Sequence, residues 1–143
     1  MGQIKTLFNG RVKIETLSSI ISPVGQKIDG PARLILEKGE LTKIYDGEGP
    51  VKYIAYVEFI PGKIRGGHYH NRQEYFYIIR GEMEFELIDV ETKVAEKAVV
   101  KEGDLVALDP KIAHRIKTIK AGHTIEFSKS RFQLEDTIAY PFN

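Results

Sequence analysis

The sequence has no cysteine and no tryptophan. The missing thiols rule out disulfides, thiolate metal sites and a cysteine nucleophile, and are compatible with a reducing compartment. No stretch approaches the ~18 consecutive apolar residues that a membrane helix needs. The segment Met1 to Lys13 has no apolar run of the kind that makes a signal peptide. Charge of one sign is also lacking. Lys and Arg number 21 against 20 Asp and Glu, a net charge of +1, so there is no bulk pull toward nucleic acid or an anionic membrane. A cytoplasmic protein with neither nucleic-acid nor membrane partners is expected. No sustained helical period, low-complexity segment, linker or internal repeat is present.

What remains is a chain of 143 residues with ordinary apolar and charged fractions, enough for one domain around one core. From Arg33 onward it reads as strand, turn, strand. Arg33 to Glu37 and Leu41 to Tyr45 are short strands around a Lys38-Gly39-Glu40 turn. Between Val51 and Ile60, Val51, Tyr53, Ala55, Val57 and Phe59 share one apolar face. Glu74 to Arg80 is apolar on both faces, as in a strand covered on both sides. Arg80-Gly81-Glu82 reads as a turn into Met83 to Val90, and Val94 to Val100 returns. Leu105 to Leu108, Ala113 to Ile119 and His123 to Phe127 follow, the last after an Ala121-Gly122 turn. Roughly nine to eleven short strands predict an all-β sandwich or barrel. Residues 1–32 read as an N-terminal arm or edge strands, residues 33–130 as the body, and residues 131–143 as a tail with one helical turn, packed on the outside.

The chemistry concentrates between Gly62 and Gly81. His68, His70 and Glu74 are three metal donors within seven residues, all of even parity. On a strand or bent strand pair that parity sends them to one face. Imidazoles plus a carboxylate suit zinc, iron, manganese, nickel or copper and are too nitrogen-rich for calcium or magnesium.

The run Gly62, His68, His70, Glu74, Gly81 resembles the first motif of the cupin superfamily, with every fixed position filled. Gly103 to His114 resembles the second. It departs in two places: Pro110 sits one position late, and Lys111 or Ile112 stands where a glycine usually follows. Thr118 also occupies a position where the family often has Asn. The resemblance implies a double-stranded β-helix (a jelly-roll cupin barrel), with His68, His70, Glu74 and His114 holding one divalent ion such as zinc, iron, manganese or nickel. It also implies a homodimer, in which residues 1–32 are either exchanged between subunits or an edge on their own subunit.

A narrower resemblance lies in Lys63 to Tyr69 and in Glu37 to Thr42. Both are similar to RmlC-like sugar-nucleotide epimerases and ketoisomerases, in which the arginine contacts nucleotide phosphates and the histidine is the base. Arg65 is thereby a candidate substrate-binding residue. A similar Arg-Gly-x-His-x-His run followed by glutamate occurs in the metal-binding cupin domain of capsular sugar-nucleotide reductases. His70 and Glu74 stand where the dTDP-rhamnose type of epimerase lacks metal ligands, so His68 is not expected to be a free base. No base is singled out otherwise. His123 is a candidate, since it shares parity with Ile125 and Phe127; a surface histidine after the Ala-Gly turn is the alternative.

The functional expectation is a metal-binding isomerase or epimerase of a sugar nucleotide or small keto sugar. A metal-dependent dioxygenase or decarboxylase, and a non-catalytic small-ligand binding or sensing cupin, are the alternatives.

Overall fold

The computed structural model describes residues 2–23 and 25–142. Twelve β-strands occur among them: β1 (Gln3–Leu7), β2 (Val12–Thr16), β3 (Ser19–Ile21), β4 (Ala32–Leu36), β5 (Gly39–Lys43), β6 (Tyr53–Phe59), β7 (Ile64–Tyr69), β8 (Glu74–Asp89), β9 (Ala95–Lys101), β10 (Asp104–Leu108), β11 (Ile112–Ser128) and β12 (Ile138–Ala139). A single 3-10 turn, Leu134–Asp136, precedes β12. None of these elements is a helix long and apolar enough to cross a membrane.

The main sheet runs β1-β2-β10-β8-β11-β7-β12, with β6 also paired to β11 and β9 to β8, all antiparallel. A separate three-stranded sheet, β3-β4-β5, lies outside it. The N-terminal hairpin β1–β2 adds to β10 of its own chain, Val12 standing opposite Leu108.

Two expected turns are absent. The residues read as turns at Gly81 and at Ala121-Gly122 lie inside β8 and β11, which run unbroken for 16 and 17 residues. The two strands pair along most of their length, and their register slips around Lys120 to Thr124. Gly81 has a φ of 104°, a conformation that side chains resist. A Cβ there would lie 2.8 Å from the Gly122 Cα, and one at Gly122 would lie 1.9 Å from the Arg80 carbonyl oxygen. The glycines thus mark a shared bend where two backbones cross closely. Each strand sends its first half into one layer and its second half into the other. That closes the sheet around an interior of Val12, Phe76, Ile78, Met83, Phe85, Leu87, Val100, Val106 and Ile116, each 3% exposed or less.

The tail differs from expectation in a way that matters. Its β12 pairs with β7, Ile138 opposite Tyr69, and the Tyr140 N–H donates to the Gly67 carbonyl at 2.8 Å. Phe132 stacks on Tyr53 with ring centroids 5.4 Å apart. The segment closes one side of the interior instead of lying on a finished outer wall.

Candidate metal centre

His68 comes from β7, His70 from the loop after it, Glu74 from the first position of β8, and His114 from β11. The pairing of β7 with β11 sets His68 opposite His114. Gly66 permits that approach: a Cβ there would lie 2.6 Å from the His114 carbonyl oxygen. The ring centroids of His68 and His70 are 4.7 Å apart, and those of His68 and His114 are 4.8 Å apart. Their donor nitrogens lie within 4.8 Å of one another. Glu74 Oε1 lies 3.1 Å from His70 Nε2 and 3.8 Å from His114 Nε2. Donors bound at about 2.0–2.2 Å from one ion sit roughly 3–4 Å apart, so the cluster has the right scale.

The hydrogen bonds select the tautomers. His70 Nδ1 donates to the Asp136 carbonyl at 2.8 Å, and His114 Nδ1 donates to the Ile112 carbonyl at 3.2 Å. In each neutral ring this leaves the Nε2 lone pair directed at the cluster, the arrangement in which a backbone carbonyl orients a metal-binding imidazole. Glu74 is 2% exposed, and its Oε1 has no hydrogen-bond donor among the described residues. A buried carboxylate oxygen left unpartnered is costly, and a cation at the centre would satisfy it. The four side chains therefore fit a divalent transition-metal ion.

The electrostatics agree with that use. Burial pushes His114 down to about 4. Burial, aided by His70, also lowers His68. Both shifts favour the neutral ring, the form with a lone pair to give a metal. Burial opposes charge on His70, but the adjacent Glu74 carboxylate and the Asp136 carbonyl outweigh it and raise its pKa. Burial likewise opposes charge on Glu74 and is outweighed by His70, His114 and Arg72, which hold the carboxyl below its ordinary range.

Several residues of the site escaped the reading of the sequence. Arg72, 7% exposed, donates to Glu74 Oε2 and to Asp136 Oδ2, both at 3.2 Å. Asp136 in turn accepts from the Asn71 N–H at 2.9 Å. The tail thereby orients both His70 and Glu74. Arg72 lies two residues from Glu74 and shares its parity, a local signal that was overlooked; nothing local signals Asp136, whose partner Arg72 is 64 residues away. Glu126 was missed as well, because taking His123, Ile125 and Phe127 as the inward set turns it outward; its Oε2 accepts from the Tyr53 hydroxyl at 2.9 Å.

The four donors and Arg72 line an open cavity of about 590 Å³, whose walls include Tyr53, Phe59, Glu126 and Phe132, with Arg65 among its lining residues. Arg65 is exposed, its guanidinium 5.7 Å from the Phe59 ring centroid. A larger groove of about 680 Å³ runs past β1, β2 and β9, but no histidine lines it.

His123 does not join the site. Its Nδ1 lies 3.0 Å from the Tyr56 hydroxyl, and it is not among the cavity's lining residues. Ile125 and Phe127, whose parity it shares, face the other way. Phe127 packs on Tyr75 and Tyr45. That face is apolar because the segment after β5 covers it, which misled the parity argument.

The backbone also explains a departure in the second motif. Lys111 adopts a φ of 65° at the position after Pro110, and its N–H donates to the His70 carbonyl at 2.8 Å. The left-handed turn that glycine would make without strain is made here by lysine, at a cost of about 1–2 kcal/mol.

The family model of the Cupin domain matches residues 55–127, just over half of the chain. No curated protein matches it. Among solved structures, the chain is similar to dTDP-4-dehydrorhamnose 3,5-epimerase from Bacillus anthracis with TDP and pyrophosphate bound. The identity is 11%, the TM-score 0.74, and the match covers 100% of this chain and 86% of that one. It is also similar to a mutant 3,4-ketoisomerase from Thermoanaerobacterium thermosaccharolyticum in complex with TDP-4-keto-6-deoxyglucose, at 13% identity and a TM-score of 0.67, covering 93% and 88%. A TDP-quinovose 3,4-ketoisomerase from Campylobacter jejuni matches at 17% identity and a TM-score of 0.67, covering 78% and 90%. At such identities the likeness is one of fold. The two motifs, the bent β8–β11 pair and the family match agree: the chain belongs to the cupin family.

Proposed function

We propose that the protein is a metal-dependent isomerase or epimerase acting on a sugar nucleotide or small keto sugar. The observation that carries this reading is the convergence of three imidazoles and one carboxylate, lone pairs foremost, in an open cavity with an exposed arginine on its wall. A divalent ion held by His68, His70, His114 and Glu74 would supply Lewis acidity toward a carbonyl or enediolate oxygen. The protein supplies the rest. Arg65 offers a guanidinium to a phosphate, the exposed Phe132 gives flat apolar surface to a sugar or base, and the tail excludes water from one side. The ligands in two of the similar structures, TDP and TDP-4-keto-6-deoxyglucose, support a nucleotide-linked substrate.

One feature favours a second reading. Apart from Arg65 and the Arg72 already paired to two carboxylates, much of the cavity wall is apolar, including Ala55, Val57, Ile64 and Ile116. Such a wall also suits a metal-dependent dioxygenase or decarboxylase of a small molecule.

Elemental analysis of His70→Ala beside the wild type tests the core of the proposal. Metal per chain should fall. With the ion at 100 times its dissociation constant the wild type gains about 2.7 kcal/mol, so the melting temperature should fall by roughly 5–10 °C. Unchanged metal content would remove the assignment. Conversion of TDP-4-keto-6-deoxyglucose by the loaded wild type supports the isomerase reading, and oxygen uptake with a small keto acid supports the second.

A further inference from the structure

Moving or inverting a centre beside a ketone requires a group that takes a proton from carbon and gives it back. Few groups lining the cavity can do so. His68, His70, His114 and Glu74 face one another and are committed to a cation. Arg65 and Arg72 stay charged at any working pH. Tyr56 turns its hydroxyl onto His123, 3.0 Å away. Glu126 and Tyr53 remain.

These two are built as a pair. β6 and β11 are adjacent antiparallel strands, and Glu126 stands opposite Ala55, two residues from Tyr53. The Tyr53 hydroxyl donates to Glu126 Oε2 at 2.9 Å. Phe132 stacks on the Tyr53 ring, and the Arg72 guanidinium lies 5.9 Å from its centroid. Glu126 Oε1 makes no hydrogen bond among the described residues, and both side chains line the cavity that the metal donors line.

We propose that Glu126 and Tyr53 are the proton-transfer pair of this site, Glu126 exchanging the carbon-bound proton of a keto sugar while Tyr53 holds the carboxylate in place. This rests on the isomerase reading above. The C–H bond beside the ketone breaks, its proton passes to Glu126 Oε1, and its electron pair forms the C=C bond of an enolate as the carbonyl π pair moves to oxygen. Return of the proton to the same carbon restores the ketone. Return to the former carbonyl carbon, with the hydroxyl proton passing between the two substrate oxygens, gives the isomeric ketone. No proton or electron is gained or lost. Burial raises the Glu126 carboxyl above its ordinary range, which favours a base that must give its proton back. Burial and the Glu126 charge push Tyr53 up to about 12, so it stays a donor.

The test is deuterium wash-in from heavy water at the carbons beside the ketone of TDP-4-keto-6-deoxyglucose, followed by proton NMR. Glu126→Gln keeps the shape and an acceptor for Tyr53 but cannot take a proton. Its wash-in rate should fall by about 100-fold or more. Its metal per chain should stay equal to wild type, and its calorimetric affinity for the same compound should stay within about threefold, a shift of under ~0.7 kcal/mol. Glu126→Asp should recover part of the rate. Wash-in at the wild-type rate by Glu126→Gln overturns the pair while leaving the isomerase reading intact. A metal-loaded wild type that binds the compound without wash-in overturns both. Metal lost from Glu126→Gln makes the residue a support of the metal centre and overturns the pair as well.

Discussion

Two regions inside this barrel are made by the same strands and differ in kind. Beyond the bend of β8, Met83, Phe85 and Leu87 lie in an apolar core, each 1% exposed or less. Before the bend, β8 begins with Glu74, buried among His70, Arg72 and His114. Phe76 stands between them, edge-on to Phe85 at 5.6 Å and to His114 at 6.0 Å. The core side stabilises the fold, at about 1.5–3 kcal/mol for each large side chain buried. The polar side does not, because desolvating charges offsets their attraction. Its buried imidazoles and carboxylate could hold a cation.

The comparison breaks most sharply at Phe85. Phe85→Ala should cost about 3–5 kcal/mol in urea unfolding with metal per folded chain unchanged. A metal deficit under native conditions would mean that the two regions are not separable. Arg72→Met comes next. It leaves Glu74 Oε2 and Asp136 Oδ2 without their cation, so the metal-free protein should lose about 3 kcal/mol and metal affinity should drop by 10–100-fold. Stability lost without a change in metal affinity would reduce Arg72 to a structural tie. Arg65→Ala should be the mildest: under about 0.5 kcal/mol in stability and roughly a tenfold loss of TDP affinity, worth ~1.4 kcal/mol. Calorimetry showing equal TDP affinity would take the nucleotide out of the proposal.

The asymmetry between the regions also governs what the sequence discloses. Alternation located β6 well, expected from Val51 to Ile60 and found from Tyr53 to Phe59. Parity brought His68, His70 and Glu74 to one place, because donors close in sequence are constrained by local geometry alone. His114 came from the second motif despite the lysine in its turn. The bend at Gly81 and Gly122 read as two turns, because a glycine in the sequence looks the same whether the chain reverses or kinks. Asp136 and the role of the tail were not legible. The contacts of Asp136 with residues 70 to 72 span more than sixty residues, and no periodicity encodes them. His123 was misplaced because an apolar stripe indicates a covered face without saying what covers it.

The crossing of β8 and β11 at their paired glycines has one last consequence, for alignment. A slip of one residue between strands turns every inward side chain outward and is heavily disfavoured. A slip of two keeps each side chain on its own face, and hydrophobic patterning alone would tolerate it. It would place His114 opposite Phe85 or Asp89 in place of Leu87 and draw the fourth donor away from its companions. The crowded crossing resists that motion like a rivet, because neither backbone can slide without forcing a larger residue into a gap that only hydrogen fills. The two smallest residues in the strands thus hold the histidines in step.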